Sequence, residues 1–230
     1  MADGPENPDN PTGAPRTAAP SVRVRVRRKP DRGRYEREVI DAILDAGLVA
    51  HVGYVVDGQP YVIPTLYWRD GDHVYWHGSA ASRMIRTIAS GAPVCLTVSH
   101  LDSIILARSG FNSSADYRSV VVIGVAEVVP DDGKAAALDG FLDYLAPGRS
   151  ADVRPMTEKE LKQTAVVRLS LDEASAKVRD AGLGDDPGDE TWPVWAGTLP
   201  VRLTIGEPVP APDLAAGIAL PENVRSLSRR

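Results

Sequence analysis

Ser79, Ser82 and Arg83 are the residues whose types and spacing best suit chemistry in this chain. They stand where an alternating run, HVYWHG, gives way to a helical one, with Met84, Ile85 and Ile88 on one face and Gly91 placed to end it. The first turn of such a helix leaves its N–H groups unpaired and carries the positive end of the helix dipole. Two hydroxyls and a guanidinium added there suit a phosphate, which accepts several hydrogen bonds and carries about two negative charges. The plainer alternative is that a serine merely caps the helix while Arg83 is solvated.

The elements that must position this junction are mostly strands. LVAHVGYVV, QPYVIPTLYWR and HVYWHG are separated by Asp57-Gly58 and Asp70-Gly71, dipeptides that supply the positive φ angles of tight hairpins, so they read as a β-meander. Pro64 inside the second strand removes a ladder donor, which is tolerated at an edge or bulge where the backbone faces something other than a strand. PVCLTVSHLDSIILA and RSVVVIGVAEVV add two strands rich in Val, Ile and Thr. TAVVRLSLDEASAKVR adds a sixth. Helices are expected at 35–46, 80–90 and 134–145 from their apolar spacing, and at 157–162 from the Thr157 and Glu160 capping-box pair. Short hairpins without regular strand and helix alternation favour a mainly β, closed antiparallel barrel with inserted helices over a parallel sheet. WPVWAGTLPVRLTIGEPVP is expected to wrap the body or a partner subunit.

A chain of 230 residues, 43% hydrophobic and 25% charged, is ordinary for one main globular domain with extensions. Residues 1–21, proline-rich with almost nothing to bury, read as a disordered leader, residues 22–210 as the folded domain and 211–230 as a tail. The longest apolar runs are too short to cross a bilayer and no secretory signal opens the chain, so a cytoplasmic protein is expected. A lone Cys95 gives no internal disulfide, and nothing suggests a metal site. Net charge is −5, but residues 22–37 hold eight Arg or Lys against Asp31 and Glu36, leaving the remainder at −11. This basic segment lacks the aromatic interleaving of a nucleic-acid surface and is expected to lie solvated against the acidic body.

The motifs VRRKPDRGRYE, ILDAGLVAHVG, DGQPYVIPTLYWRDGD, VYWHGSAASRM and ILARSGFNSSADYRSVVVIGVAEVV, followed by ELKQT, KVRD and WAGTLP, resemble in order and spacing the FMN-binding split-barrel proteins related to pyridoxamine 5′-phosphate oxidase. The branch they resemble most contains 5-nitroimidazole reductase-like proteins, and the likeness runs from about Val22 to Pro210. It implies a six-stranded antiparallel split barrel forming a homodimer, with FMN bound across the interface. By position, Val62, Ile63, Pro64 and Thr65 would line the flavin through main-chain contacts. Ser79, Ser82 and Arg83, with Met84 beside them, would hold its phosphate. Thr97 and Val98 would lie near the flavin, a placing that ordinary strand packing explains equally well. Tyr117, Arg118 and Ser119 would close the site, from the same chain or its partner. His77 matches a histidine that ends the corresponding strand in that branch, where it could hand a hydrogen bond or proton to a substrate. His51, His73 and His100 are expected to be structural.

One departure stands out: relatives usually carry two histidines and an asparagine where this chain has Asn112, Ser113 and Asp116. Asp116 would weaken phosphate binding unless Arg118 or Arg108 pairs with it. The leading function is therefore an FMN-dependent oxidoreductase passing electrons to a small planar substrate, with NAD(P)H or another donor visiting transiently because no Gly-rich dinucleotide fingerprint is present. A non-catalytic binder of flavin, deazaflavin or haem is the alternative, and a biosynthetic enzyme using the cleft without FMN is the third reading.

Overall fold

The computed structural model describes residues 18–229, so most of the leader expected at 1–21 lies outside the described residues. In chain order the elements are β1 (Gly33–Arg34), α1 (Arg37–Asp45), β2 (Val49–Val56), β3 (Gln59–Asp70), β4 (His73–Ser79), α2 (Arg83–Ala89), β5 (Pro93–Leu106) and β6 (Ser114–Val125). After them come β7 (Glu127–Val128), α3 (Asp131–Leu145), α4 (Arg149–Asp152), α5 (Glu158–Gln163), β8 (Thr164–Ser170), β9 (Ala174–Arg179), β10 (Gly197–Pro200) and α6 (Glu222–Arg225). No helix among the described residues is long and apolar enough to cross a membrane.

Both expected hairpins form. Asp57 and Gly58 take φ of 51° and 78°, and Gly71 takes 52°, the left-handed values that the Asp-Gly turns require. The strands run β1-β9-β6-β5-β2-β3-β4-β8-β7, with β10 added to β5, and every pairing is antiparallel. The expected sixth strand is present but breaks at Leu171, Asp172 and Glu173 into β8 and β9. Its first half pairs β4 and its second half pairs β6, so one bent segment joins both ends of the sheet and closes a six-stranded barrel. Alternate residues fill the interior: Val52, Trp76, Leu96, Val122, Val167 and Ala176 are fully buried. A smaller cluster of Trp68, Val129, Leu138 and Val166 forms outside the barrel with Phe141 of α3 packed on it.

Helix α1 buries Ile40, Ile43 and Leu44, and the carbonyls at and just past its C-terminus find side-chain donors on three other elements. The Tyr67 hydroxyl of β3 donates to the Leu44 carbonyl, the Tyr144 hydroxyl of α3 donates to the Gly47 carbonyl, and His100 Nε2 of β5 donates to the Ile43 carbonyl at 2.9 Å. Burial raises both phenols, Tyr144 to about 12, so each remains a protonated donor. Gly47 is required by this crowding rather than by its φ. A Cβ there would stand 2.5 Å from Tyr67 Oη and 2.9 Å from Val98 Cγ1. Gly47→Ala should therefore cost about 1–3 kcal/mol of stability, the usual penalty of overpacking. It would appear as a lower urea midpoint at unchanged slope, and a midpoint equal to the parent's would contradict this account of the helix seat.

Candidate functional site

The junction singled out in the sequence sits at the end of β4. Ser79 is the last strand residue rather than part of the helix; its Oγ accepts from the Ala81 N–H at 3.3 Å and its carbonyl accepts from the Ser82 N–H at 2.9 Å. Ser82 is the N-cap of α2, accepting from the Ile85 N–H at 3.2 Å, and Arg83 opens the helix. Met84 turns its side chain into the barrel core, leaving only its main chain at the helix start. The Arg83 guanidinium is exposed and makes no ion pair among the described residues; it lies over the Tyr61 ring, 3.8 Å from the centroid. Tyr61 is itself stacked on Tyr54 at 5.6 Å. A cation–π contact with an otherwise unpaired arginine holds the charge in place without neutralising it.

Tyr61 belongs to β3, and β3 outruns its neighbour. Residues 59–66 pair only with β2, and pairing to β4 begins at Tyr67. One edge of the stretch that includes Val62, Ile63, Pro64 and Thr65 is therefore open, with main-chain N–H and C=O groups free for a ligand. Pro64 fits that edge because a missing N–H costs nothing on an open side. The antiparallel register sets Pro64 opposite His51, His51 opposite Thr97, Thr97 opposite Val121 and Val121 opposite Ser175, so one row of side chains crosses the outer wall of the barrel. Val49, Val62 and Leu66 flank this row and are exposed. Val98, by contrast, is buried in the core, so strand packing accounts for its side chain.

The other expected residues are dispersed. The His77 ring packs against Phe141 at 4.7 Å and Trp68 at 6.2 Å; burial lowers its pKa, and its Nδ1 is buried without a partner. Arg118 is engaged by Asp102, with N···O contacts of 2.8 and 2.9 Å. Ser119 donates to the Lys177 carbonyl at 3.3 Å, and Tyr117 lies on the same strand. Among the described residues no hydrogen bond, ion pair or ring contact joins Tyr117, Arg118 or Ser119 to Ser82 or Arg83.

Asp116 corrects the expectation that its charge would fall on the phosphate site or be met by Arg118 or Arg108. It is buried and paired with Arg179 at 2.5 Å, and it accepts from the Ala181 N–H at 3.1 Å and the Ser103 hydroxyl at 3.1 Å. Arg108 instead pairs with Asp185, and the Asn112 amide donates to Asp186 at 3.2 Å. The segment that departs from the expected pattern thus fastens the 179–186 loop. Tyr61 and Arg179 were missed by sequence reasoning. An alternating strand with a nearby Arg could have suggested the first, whereas the 63 residues between Asp116 and Arg179 leave no local signal for the second.

An unpaired cation held at the lip of a barrel, beside a free strand edge and two serines, makes this junction the candidate anion site. A family model described as pyridoxamine 5′-phosphate oxidase matches residues 36–178. The chain is 42% identical to a flavocytochrome from Azotobacter vinelandii, covering 91% of this chain and 98% of that one with a TM-score of 0.86. It is 39% identical to an FAD and haem binding protein from Mycobacterium smegmatis, covering 86% and 97% with a TM-score of 0.82. A putative 5-nitroimidazole antibiotic resistance protein from Bacteroides thetaiotaomicron shares the fold at 21% identity, covering 64% and 86% with a TM-score of 0.54. None of the curated proteins matches. The chain belongs to the pyridoxamine 5′-phosphate oxidase family, and its barrel is the split barrel of that family.

The Asp116 geometry carries a pH prediction. Burial raises its pKa, but the Ala181 N–H, the Ser103 hydroxyl and Arg179 together outweigh burial and bring it below the ordinary value. A depressed carboxylate stabilises the fold above its unfolded pKa, about 3.9, and loses that contribution as pH falls through the folded value. Asp116→Asn should therefore cost roughly 3 kcal/mol at pH 7, where it leaves Arg179 without its partner, and progressively less below about pH 4. Denaturation across that range measures it; a pH-independent difference would contradict the pairing.

Proposed function

We propose that this protein is a flavin- and haem-binding redox protein of the flavocytochrome kind, with a flavin dinucleotide in place of the FMN expected from the sequence. The two relatives near 40% identity support this, since one is a flavocytochrome and the other an FAD and haem binding protein. The observation that carries the flavin part is Arg83, charged, unpaired and stacked on Tyr61 at the head of the open β3 edge. A flavin bound there would supply one- and two-electron redox chemistry. Arg83 and the α2 N-terminus would hold a phosphate, the main chain of residues 62–65 would hydrogen-bond the ring system, and Ser82 would fix the helix start. The exposed apolar wall bearing Val49, Val62 and Leu66 is proposed to face a second copy of the chain, forming a homodimer around the flavin. NAD(P)H or another donor would visit transiently, and a small planar acceptor would stack on the flavin.

His77 fits the haem part of the proposal. An axial imidazole must be neutral, and burial lowers the pKa of this ring, which favours its neutral form. Trp68 and Phe141 pack directly on the ring, so Phe141 of α3 would have to move aside for a macrocycle to reach it. His100 is less suited because its Nε2 is already used by the Ile43 carbonyl.

Titration of the purified chain with flavin, followed by quenching of flavin fluorescence, tests this reading. Arg83→Ala should weaken affinity by about 1.5–3 kcal/mol, the worth of a charge-assisted contact. Haem should give a ligated Soret band that His77→Ala alters. Unchanged flavin affinity in Arg83→Ala would sink the flavin site; an unaltered Soret band in His77→Ala would move the iron ligand elsewhere.

A further inference from the structure

The arginines of the folded body and those of the segment before it are met differently. Arg37, Arg69, Arg118, Arg168 and Arg179 each meet a carboxylate on the folded body. Arg23, Arg25, Arg27 and Arg28 are exposed and meet none among the described residues, although the segment that bears them is seated on the body. They are not on a loose tail. The Ser21 hydroxyl donates to Glu173, the Val26 N–H donates to the Tyr35 hydroxyl at 2.9 Å, and Val24 is buried against the barrel. Lys29, at φ 57°, then reverses the chain so that β1 can join β9.

Between this pinned arm and the outer wall of the barrel lies a cavity of about 290 Å³, lined by the four arginines together with Lys177 and Ser175. Its floor is Val121, three strands from Pro64 on the same cross-sheet row and so about 14 Å from the β3 residues proposed to line the flavin. Five cations around so small a space repel one another unless an anion or water intervenes, and folding holds them there in advance of any ligand. Guanidinium forks match phosphate oxygens in pairs, which favours phosphate over a single carboxylate. The volume is at the lower end, roughly 300 Å³, of sites that take a small molecule, enough for a diphosphate but not for a whole dinucleotide.

We propose that the cavity under the arginine arm binds the diphosphate of a nucleotide. The inference rests on the flavin reading only in that Arg83 already takes the proposed flavin's own phosphate at the other end of the wall, so the source is a second nucleotide, a reduced nicotinamide dinucleotide that would donate electrons to the flavin. Calorimetric titration of the full chain with ADP and with inorganic pyrophosphate tests it, comparing the parent with the double variant Arg25→Gln, Arg27→Gln, both exposed positions. Saturable ADP binding, weakened at least tenfold in the variant while FMN affinity is unchanged, is the expected result. Affinity for the reduced nicotinamide dinucleotide should fall in parallel while FAD affinity holds, and a parallel fall in FAD affinity would overturn the assignment to a second nucleotide. Absence of saturable ADP binding to the parent, equal ADP affinity in the variant, or duplex DNA that binds the arm and excludes ADP would each overturn the proposal. ADP binding retained by a parent chain that takes up no flavin would defeat the flavin reading and leave this one standing.

Discussion

The rest of the structure depends on a mismatch in strand length. β3 runs for 12 residues while β4, its partner across the second hairpin, runs for 7 before the chain turns through residues 80–82 into α2. The unmatched part of β3 is left with an open edge, and open edges inside a barrel are costly unless something satisfies them. The bent strand made of β8 and β9 cannot do so, because its two halves are already committed to β4 and β6. Barrel closure and the open edge are thus two consequences of one topology, and α2 begins beside that edge because β4 ends early.

Charge follows the same division. Across the body, arginines are paired with carboxylates and fasten loops and helices, as Arg179 does with Asp116 and Arg108 with Asp185. At Arg83 and along the arm at 23–28, cations are set by neutral contacts instead: an aromatic face in one case, a buried valine and a tyrosine hydroxyl in the other. A positive group fixed by neutral neighbours keeps its full field for a ligand, which is the electrostatic preparation an anionic cofactor needs. The two regions flank one continuous wall of the sheet, running from Pro64 to Ser175.

Much of this was legible in the residues. The Asp-Gly hairpins, the capping box at Thr157 and the apolar face of α1 are local signals, and each produced the element it promised. Ser82 and Arg83 were also readable, because strand-to-helix punctuation is local. Less legible was what each side chain faces. Met84 and Val98 share motifs with site residues but point into the core, a distinction set by the phase of each element against the barrel. His77 follows the outward phase of β4, yet Phe141 of α3, 64 residues later in the chain, covers it. The Asp116 and Arg179 pair, the break at residues 171–173 and the arm seated on the outer wall all arise from long-range packing that no local pattern encodes.

The central claim is that the chain grips a flavin phosphate with Arg83 at the start of α2 and lays the ring along the open edge of β3. A crystal structure of the flavin-loaded protein tests this most directly. The account predicts a phosphate within hydrogen-bonding distance of the Arg83 guanidinium and the first N–H groups of α2, with the ring system against the main chain of residues 62–65. A flavin seated elsewhere, with Arg83 uninvolved and that strand edge bare, would contradict it.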